Sequence, residues 1–96
     1  MLTSSDRSKF LGLSNKLRDL VFIGKEGLTP NINAQIMANL RAHELIKIKV
    51  LKNAPTSIAE LAREIAEECE CDVVNIIGSK IIVYKYSDKE GIDHII

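Results

Sequence analysis

The sequence contains no tryptophan, only two cysteines and few aromatic rings, with two phenylalanines and two tyrosines among 96 residues. With so few rings, the core must be built mainly from aliphatic side chains. Glu70 alone separates Cys69 from Cys71, and so short a loop cannot readily close a low-strain disulfide. No further cysteine is available to complete a zinc site. We therefore expect two reduced thiols, no metal and no other cofactor.

Long apolar runs and an apolar leader are also missing. No run approaches the ~20 residues of a membrane span, and the start of the chain, MLTSSD, is polar where a signal peptide needs its apolar stretch. The chain shows no internal repeat, low-complexity tract or linker. We expect one cytoplasmic domain over residues 1–96 with no membrane partner. Residues 87–96 have little pattern and are predicted to form a loosely ordered tail.

An excess of either charge is absent, because 13 basic and 13 acidic residues cancel. Taken alone, this balance argues weakly against nucleic acid as a partner. The distribution is uneven, however. Residues 1–52 hold nine basic and four acidic residues, whereas residues 60–72 hold six acidic residues and one basic residue, Arg63. The sequence thus predicts an acidic pole and a basic pole, and an anionic partner would meet the basic one.

Three segments have the pattern of helices. The first is predicted to start at Thr3, whose hydroxyl can cap a helix. Its apolar stripe consists of Phe10, Leu13 and Leu17. The third is predicted to start at Ser57, which forms a capping box with Glu60. Its apolar side consists of Ile58, Leu61, Ala62, Ile65, Ala66 and Cys69.

Between these two segments, Thr29 and Pro30 predict the start of the second helix. A capping hydroxyl followed by proline in the first turn is typical of a helix N-terminus. The predicted buried side consists of Ile32, Ile36, Met37 and Leu40. This helix is predicted to end near His43.

The remaining regular segments have the pattern of strands. Residues 20–23 are a short apolar run and predict a buried strand. Residues 46–50, IKIKV, alternate strictly, which predicts aliphatic side chains on one face and lysines on the other. Residues 73–77 and 81–86 flank the sequence GSK at 78–80, which predicts a tight antiparallel hairpin.

The predicted order is therefore helix, strand, helix, strand, helix, strand, strand. Strands joined through helices tend to be parallel, and strands joined by a tight turn are antiparallel. The sequence predicts an α/β domain of two layers, in which three helices pack on a mixed four-stranded sheet.

The chemistry is concentrated in the turn GKEG at residues 24–27, between a strand and a capped helix. Gly24 and Gly27 permit positive φ and leave no Cβ in the way of a ligand. Successive N–H groups in such a turn can point at one anion, and Lys25 adds a mobile positive charge. A Gly-x-x-Gly loop of this kind clamps the backbone of several nucleotides in some RNA-binding modules. Alone, the same pattern also fits an ordinary strand-to-helix turn.

Three blocks of sequence make the pattern more specific. They are LVFIGKEGLT at residues 20–29, HELIKIKV at residues 43–50 and IIGSKIIVY at residues 76–84. In this order and spacing they resemble the CRM domain family (chloroplast RNA splicing and ribosome maturation). Standalone bacterial YhbY-type proteins are the members that the chain resembles most, over about residues 2–86.

The resemblance implies a fold similar to the C-terminal domain of translation initiation factor three. It also implies that RNA binds through the Gly-x-x-Gly loop, and that standalone members associate with precursors of the large ribosomal subunit. The RNA-binding residues expected on this basis are Gly24, Lys25, Glu26, Gly27, Lys47 and Lys49. Glu26 stands where the family often has a neutral or basic residue. The expected partner is ribosomal RNA or a pre-ribosomal particle, not DNA, and the expected state is a monomer.

Several of these residues have a second interpretation. Lys47 and Lys49 fit RNA contact and a solvated strand face equally well. Tyr84 and Tyr86 point to one side of the last strand, where they would either stack bases or be buried. Cys71 fits an exposed thiol, and nearby carboxylates would raise its pKa.

An alternative function is a protein-interaction domain that docks a ribosomal protein through the acidic third helix. An enzyme is not expected, because the turn lacks the Lys-Ser/Thr ending of a nucleotide-binding P-loop. The chain also has no Cys-x-x-Cys pair for redox chemistry.

Overall fold

The computed structural model describes Gly12 and residues 19–86. In this part of the chain the strands are β1 (Asp19–Ile23), β2 (Leu45–Val50), β3 (Asp72–Ile77) and β4 (Lys80–Tyr84), and the helices are α1 (Pro30–His43) and α2 (Ile58–Glu68). The helix predicted to start at Thr3 and the predicted tail at 87–96 lie outside the described residues. Neither α1 nor α2 has the length and apolarity that crossing a membrane requires.

The four strands form one sheet in the order β1-β2-β4-β3. β1 and β2 are parallel, whereas β4 is antiparallel to both β2 and β3. The mixed four-stranded sheet and the terminal hairpin are therefore confirmed. Because β1 and β2 are parallel, both end on the same side of the domain, and β4 begins there. We call this side the loop end of the sheet and the opposite side the far end.

Both helices begin at the residues that the sequence indicates. The Thr29 hydroxyl accepts a hydrogen bond from the Ile32 N–H at 3.1 Å, and the Ser57 hydroxyl accepts one from the Glu60 N–H at 3.3 Å. Each cap satisfies an N–H group that has no partner inside the helix. At the other end of α1, Glu44 adopts φ +65° and donates its N–H to the Leu40 carbonyl at 2.8 Å.

α1 and α2 pack on the same face of the sheet, which we call the first face. The buried core on this face consists of Val21, Ile23, Ile36, Leu40, Ile46, Ile48, Val50, Leu61, Ala62, Ile65, Cys69, Ile81 and Val83. Ile36 and Leu40 are buried as predicted, but Met37 is 46% exposed, so that part of the prediction was wrong. Successive helix residues point about 100° apart, so Met37 leaves the stripe that Ile36 and Leu40 define.

The second face of the sheet carries the residues that alternate with the core. At the loop end, the register places one row across the strands: Phe22, Lys49, Lys80 and Ile77. Toward the far end the same face is closed, and its almost completely buried residues are Leu45, Ile82 and Tyr84. The second face is therefore open to solvent mainly at the loop end.

β1 differs from the fully buried strand that its sequence predicts. Val21 and Ile23 are 0% exposed, but Phe22 is 50% exposed and Leu20 is 38% exposed. β1 is the outermost strand of the sheet, and only its first face is covered by the helices. An apolar run indicates a strand but does not reveal which of its faces is covered.

Both cysteines are free thiols, as predicted. Cys69 is completely buried in the core, where it follows the last turn of α2. Cys71 is partly buried against the same core, with its Sγ 3.7 Å from the Ile65 carbonyl oxygen. The pKa of Cys71 is raised to about 12, mainly by burial and to a lesser extent by the neighbouring Cys69 and Asp72. The raised pKa was predicted, but burial rather than nearby carboxylate is its main cause.

This shift makes the stability of the fold sensitive to alkaline pH. The unfolded thiol ionises near its ordinary value of 9.0, whereas the folded Cys71 keeps its proton up to about pH 12. Above pH 9 the unfolded state therefore loses protons first, and the free energy of unfolding should fall by up to ~1.4 kcal/mol per pH unit. Urea unfolding between pH 8 and pH 10.5 measures this fall. The fall should be smaller for Cys71→Ser, and an identical pH profile for that variant would contradict the assignment.

Candidate functional site

The turn at residues 24–27 is a closed β-turn at the loop end of the sheet. The Gly27 N–H donates to the Gly24 carbonyl at 3.0 Å, and Lys25 and Glu26 are exposed at the tip. Gly27 is buried and adopts φ +68°. A Cβ at this position would lie 3.1 Å from Cγ of Pro55. Gly27 is thus required for the shape of the turn, by its backbone conformation and by the space around it.

Gly24 has a different role in the turn. A Cβ at Gly24 would lie 3.5 Å from Oδ1 of Asn53 and 3.6 Å from Cδ1 of Leu51, which are ordinary contact distances. A Cβ therefore fits at Gly24 without distorting the backbone. Unlike Gly27, Gly24 is required neither by its backbone conformation nor by contacts of its Cβ position.

The amide groups of the turn are only partly available to a ligand. The N–H of Gly27 is already bonded within the turn, so it is not among the successive N–H groups that can point at an anion. In residues 19–86, the amides of Lys25 and Glu26 make no hydrogen bond to another described residue. These two amides and the Lys25 ammonium group are the donors that the turn offers to an anion.

A second loop, residues 51–57, lies directly beside the turn. The Leu51 N–H donates to the Ile23 carbonyl at 2.8 Å, and the Ala54 N–H donates to the Leu51 carbonyl at 3.1 Å. The loop brings the exposed side chain of Asn53 next to Gly24, and Lys52, which precedes it, is also exposed. Neither residue was predicted from the sequence to belong to the site. The signal was present, because ligands in α/β sheets bind outside the carboxyl ends of parallel strands, where such loops meet.

The two strand lysines are placed differently from each other. Lys49 is paired with Phe22 and Lys80 in the row at the loop end, whereas Lys47 is paired with Asp19, nearer the far end. Both lysines are half-buried on the second face. The structure thus brings Lys49 toward the turn and leaves Lys47 further away.

One carboxylate offsets part of the positive charge on this face. Oδ2 of Asp19 lies 3.4 Å from Nζ of Lys80. Its other oxygen, Oδ1, is buried and has no hydrogen-bond partner among the described residues. At the loop end, the positive charges of Lys25, Lys49 and Lys52 are therefore the ones that Asp19 does not offset through this ion pair.

The acidic residues lie toward the far end. α2 starts beside the turn and runs away from it, so its acidic side chains and those that follow it are exposed at the far end: Glu64, Glu67, Glu68, Glu70 and Asp72. Lys85 lies among them and donates from Nζ to the Cys69 carbonyl at 3.1 Å. Among the residues that the structure describes, no three His, Cys, Asp or Glu side chains are placed to hold a metal ion.

The aromatic side chains differ in exposure and in the end of the sheet at which they lie. Tyr84 is 5% exposed and so is not available to stack a base, whereas Tyr86 is 60% exposed but follows β4 at the far end. Phe22, which the sequence predicted to be buried, is the exposed ring at the loop end of the described structure.

Comparison with known proteins relates nearly the whole chain to one family. The CRS1 / YhbY (CRM) domain matches residues 2–85. "Probable RNA-binding protein YqeI" of Bacillus subtilis is 31% identical over 87 residues, which cover 91% of each chain. An "RNA-binding protein" of Haemophilus influenzae is 32% identical over 90 residues, which cover 93% of this chain and 91% of its relative.

A solved structure has the same fold. The solution structure of the hypothetical protein SAV1595 from Staphylococcus aureus superposes with a TM-score of 0.79 at 33% sequence identity. The match covers 94% of each chain. The likeness therefore extends over the domain and is not confined to the loop end.

Proposed function

This chain belongs to the CRS1 / YhbY (CRM) domain family, and from that premise we propose that it binds RNA and grips the RNA backbone with the turn at residues 24–27. The RNA-binding names of the relatives in Bacillus subtilis and Haemophilus influenzae support the proposal. The observation that carries it is the preformed turn itself, which offers two unused amides and an exposed lysine.

The surroundings of the turn favour a phosphate as its ligand. Backbone amides and lysine ammonium groups are the donors that phosphate oxygens accept from, and charge-assisted bonds of this kind are about twice as strong as neutral ones. Lys49, paired with Phe22 at the loop end, and the exposed Lys52 of the adjoining loop add positive charge near the turn. Because the turn is already closed in the free protein, little conformational entropy remains to be lost on binding.

We propose ribosomal RNA as the partner, bound in the cytoplasm during assembly of the large ribosomal subunit. The protein would act there as a monomeric single domain and as a binding module, not as an enzyme. The likeness to the C-terminal domain of translation initiation factor three belongs to the same proposal. The ribosomal partner and the likeness in fold rest on the resemblance of the sequence to this family.

Crosslinking in cells tests the proposal. The protein is crosslinked to RNA by ultraviolet light and purified under denaturing conditions, and the attached RNA is sequenced. We expect reads concentrated in the RNA of the large ribosomal subunit, and fewer crosslinks for Lys25→Ala at the same protein level. Crosslinks spread evenly over all cellular RNA would contradict the ribosomal assignment, and an absence of crosslinked RNA would contradict RNA binding.

A second candidate function rests on the acidic surface at the far end. Exposed carboxylates of α2 and the residues that follow it would suit a basic ribosomal protein. In that case the substitutions Glu64→Gln and Glu67→Gln together would abolish association with a protein partner, and Lys25→Ala would have no effect.

A further inference from the structure

We propose that Phe22 stacks against a base of the same RNA strand whose backbone is held by the turn at residues 24–27. The proposal rests on the proposed function and adds a second point of contact to it, on the second face of the sheet. It assigns a role to a side chain that the loop mechanism leaves unused.

The position of Phe22 is the first argument. The ring is 50% exposed on a strand whose two neighbouring core residues, Val21 and Ile23, are 0% exposed. Single exposed apolar side chains are common on protein surfaces, so exposure alone does not assign a function. The significance of this ring lies in the groups around it.

Those groups are cations. The register pairs Phe22 with Lys49 on β2, and Lys49 with Lys80 on β4. Neighbouring strands are about 4.8 Å apart, so the two ammonium groups branch from backbone roughly 5 and 10 Å from the ring's strand. Aromatic rings that stack bases beside lysines that meet phosphates are the usual composition of a surface for single-stranded nucleic acid.

The distance to the turn is the second argument. Only Ile23 separates Phe22 from Gly24, so their Cα atoms are at most about 7 Å apart. A strand held at the amides of Lys25 and Glu26 can therefore reach the ring with the same nucleotide or the next one. The ring faces away from α1 and α2, because these helices pack on the first face.

Burial of side chains on the second face away from the loop end limits where RNA can bind on this face. On β4, Ile82 and Tyr84 are 0% and 5% exposed, so beyond Lys80 this strand offers no open surface to a base. The exposed ring of Phe22 at the loop end is thus the place on this face where a base can stack. Every base has a π-face, and stacking here would tolerate any sequence.

The absence of tryptophan from the chain allows a direct test. Phe22→Trp introduces a single indole at the proposed contact, and Tyr86→Trp introduces one at an exposed position at the far end. The two ligands are a single-stranded RNA oligonucleotide and an abasic oligomer of the same length and charge. We expect the RNA to quench the indole of Phe22→Trp, the abasic oligomer to leave it nearly unchanged, and Tyr86→Trp to respond to neither.

Binding affinities complete the test. Phe22→Ala should weaken binding of the RNA oligonucleotide by about fivefold or more, which corresponds to the loss of one stacked base, and should leave binding of the abasic oligomer unchanged. Leu20→Ala, which removes an exposed apolar side chain from the same strand, is the control. Thermal melts of each variant establish that the fold is intact.

The outcomes separate the two proposals. If wild-type protein binds RNA and abasic oligomer equally tightly, the stacking contact is refuted while the grip of the turn on the backbone stands. If RNA binds but the indole of Phe22→Trp does not respond, the stacking contact is again refuted. If neither oligomer binds, both the proposed function and the contact that rests on it are refuted.

Discussion

Raising the salt concentration fourfold should weaken the complex with single-stranded RNA by roughly 20- to 50-fold, although the protein has no net charge. This range follows from log K falling by about 0.7 per neutralised phosphate for each unit of log salt, with about three or four phosphates engaged. The candidate cations at the loop end are Lys25, Lys49, Lys52 and Lys80. Titration of a labelled RNA oligonucleotide at several salt concentrations measures the slope.

Two variants test whether the salt dependence of binding arises from the loop end of the molecule. Lys25→Ala should flatten it by about 0.7 units, because one phosphate contact is lost. Glu64→Gln combined with Glu67→Gln should leave the slope unchanged or strengthen binding, since these side chains lie on α2 away from the turn. A complex with RNA that does not respond to salt would refute the basic site at the loop end.

Replacing Gly24 by aspartate should lower the affinity for RNA by at least about tenfold relative to Gly24→Asn. The two side chains have nearly the same shape, and a Cβ at Gly24 makes only ordinary van der Waals contacts. The difference between the variants is then the repulsion between a carboxylate and a phosphate, which is about 1 kcal/mol at 4 Å in water and several-fold larger where water is partly excluded. Fluorescence anisotropy with a labelled oligonucleotide gives both affinities.

Gly24 is a better position for this test than Gly27. Any side chain at Gly27 would meet Pro55 and would have to adopt φ +68°, so a loss of binding there would combine strain with charge. Equal affinities for the two Gly24 variants, both folded by thermal melt, would exclude the turn as the phosphate site.

Much of the fold follows from local signals in the sequence. Thr29 with Pro30 and Ser57 with Glu60 mark the helix starts because each signal depends on a hydrogen bond between residues three apart in sequence. The burial of individual residues depends instead on what packs over them. For that reason the sequence misplaced Met37, which is exposed on α1.

The same limit explains why the burial of Glu44 could not be predicted from the sequence. The residue is 0% exposed and follows the end of α1 with φ +65°. In the sequence it is only one of the four acidic residues within the basic pole. A glutamate after a helix is ordinarily solvated, so neither its burial nor its backbone conformation could be read from neighbouring residues.

The candidate site was predicted only where it is continuous in sequence. The turn at residues 24–27 was found because its glycines and lysine are adjacent. Lys52 and Asn53 were missed because they reach the turn through the pairing of β1 with β2. Phe22 was missed because an apolar run does not show which face of an edge strand is open.

Within residues 19–86, lysines gather at the loop end and carboxylates toward the far end, which gives this part of the molecule an electric dipole along the strands. In the field of a polyanion such a molecule rotates before it makes contact, so that the turn leads and α2 trails. Association of two macromolecules is normally slowed because most collisions occur in the wrong orientation. The carboxylates at the end of α2 would therefore repel RNA that approaches from the far end. In this way they would contribute to the rate of binding and to the orientation of the bound RNA without contacting it.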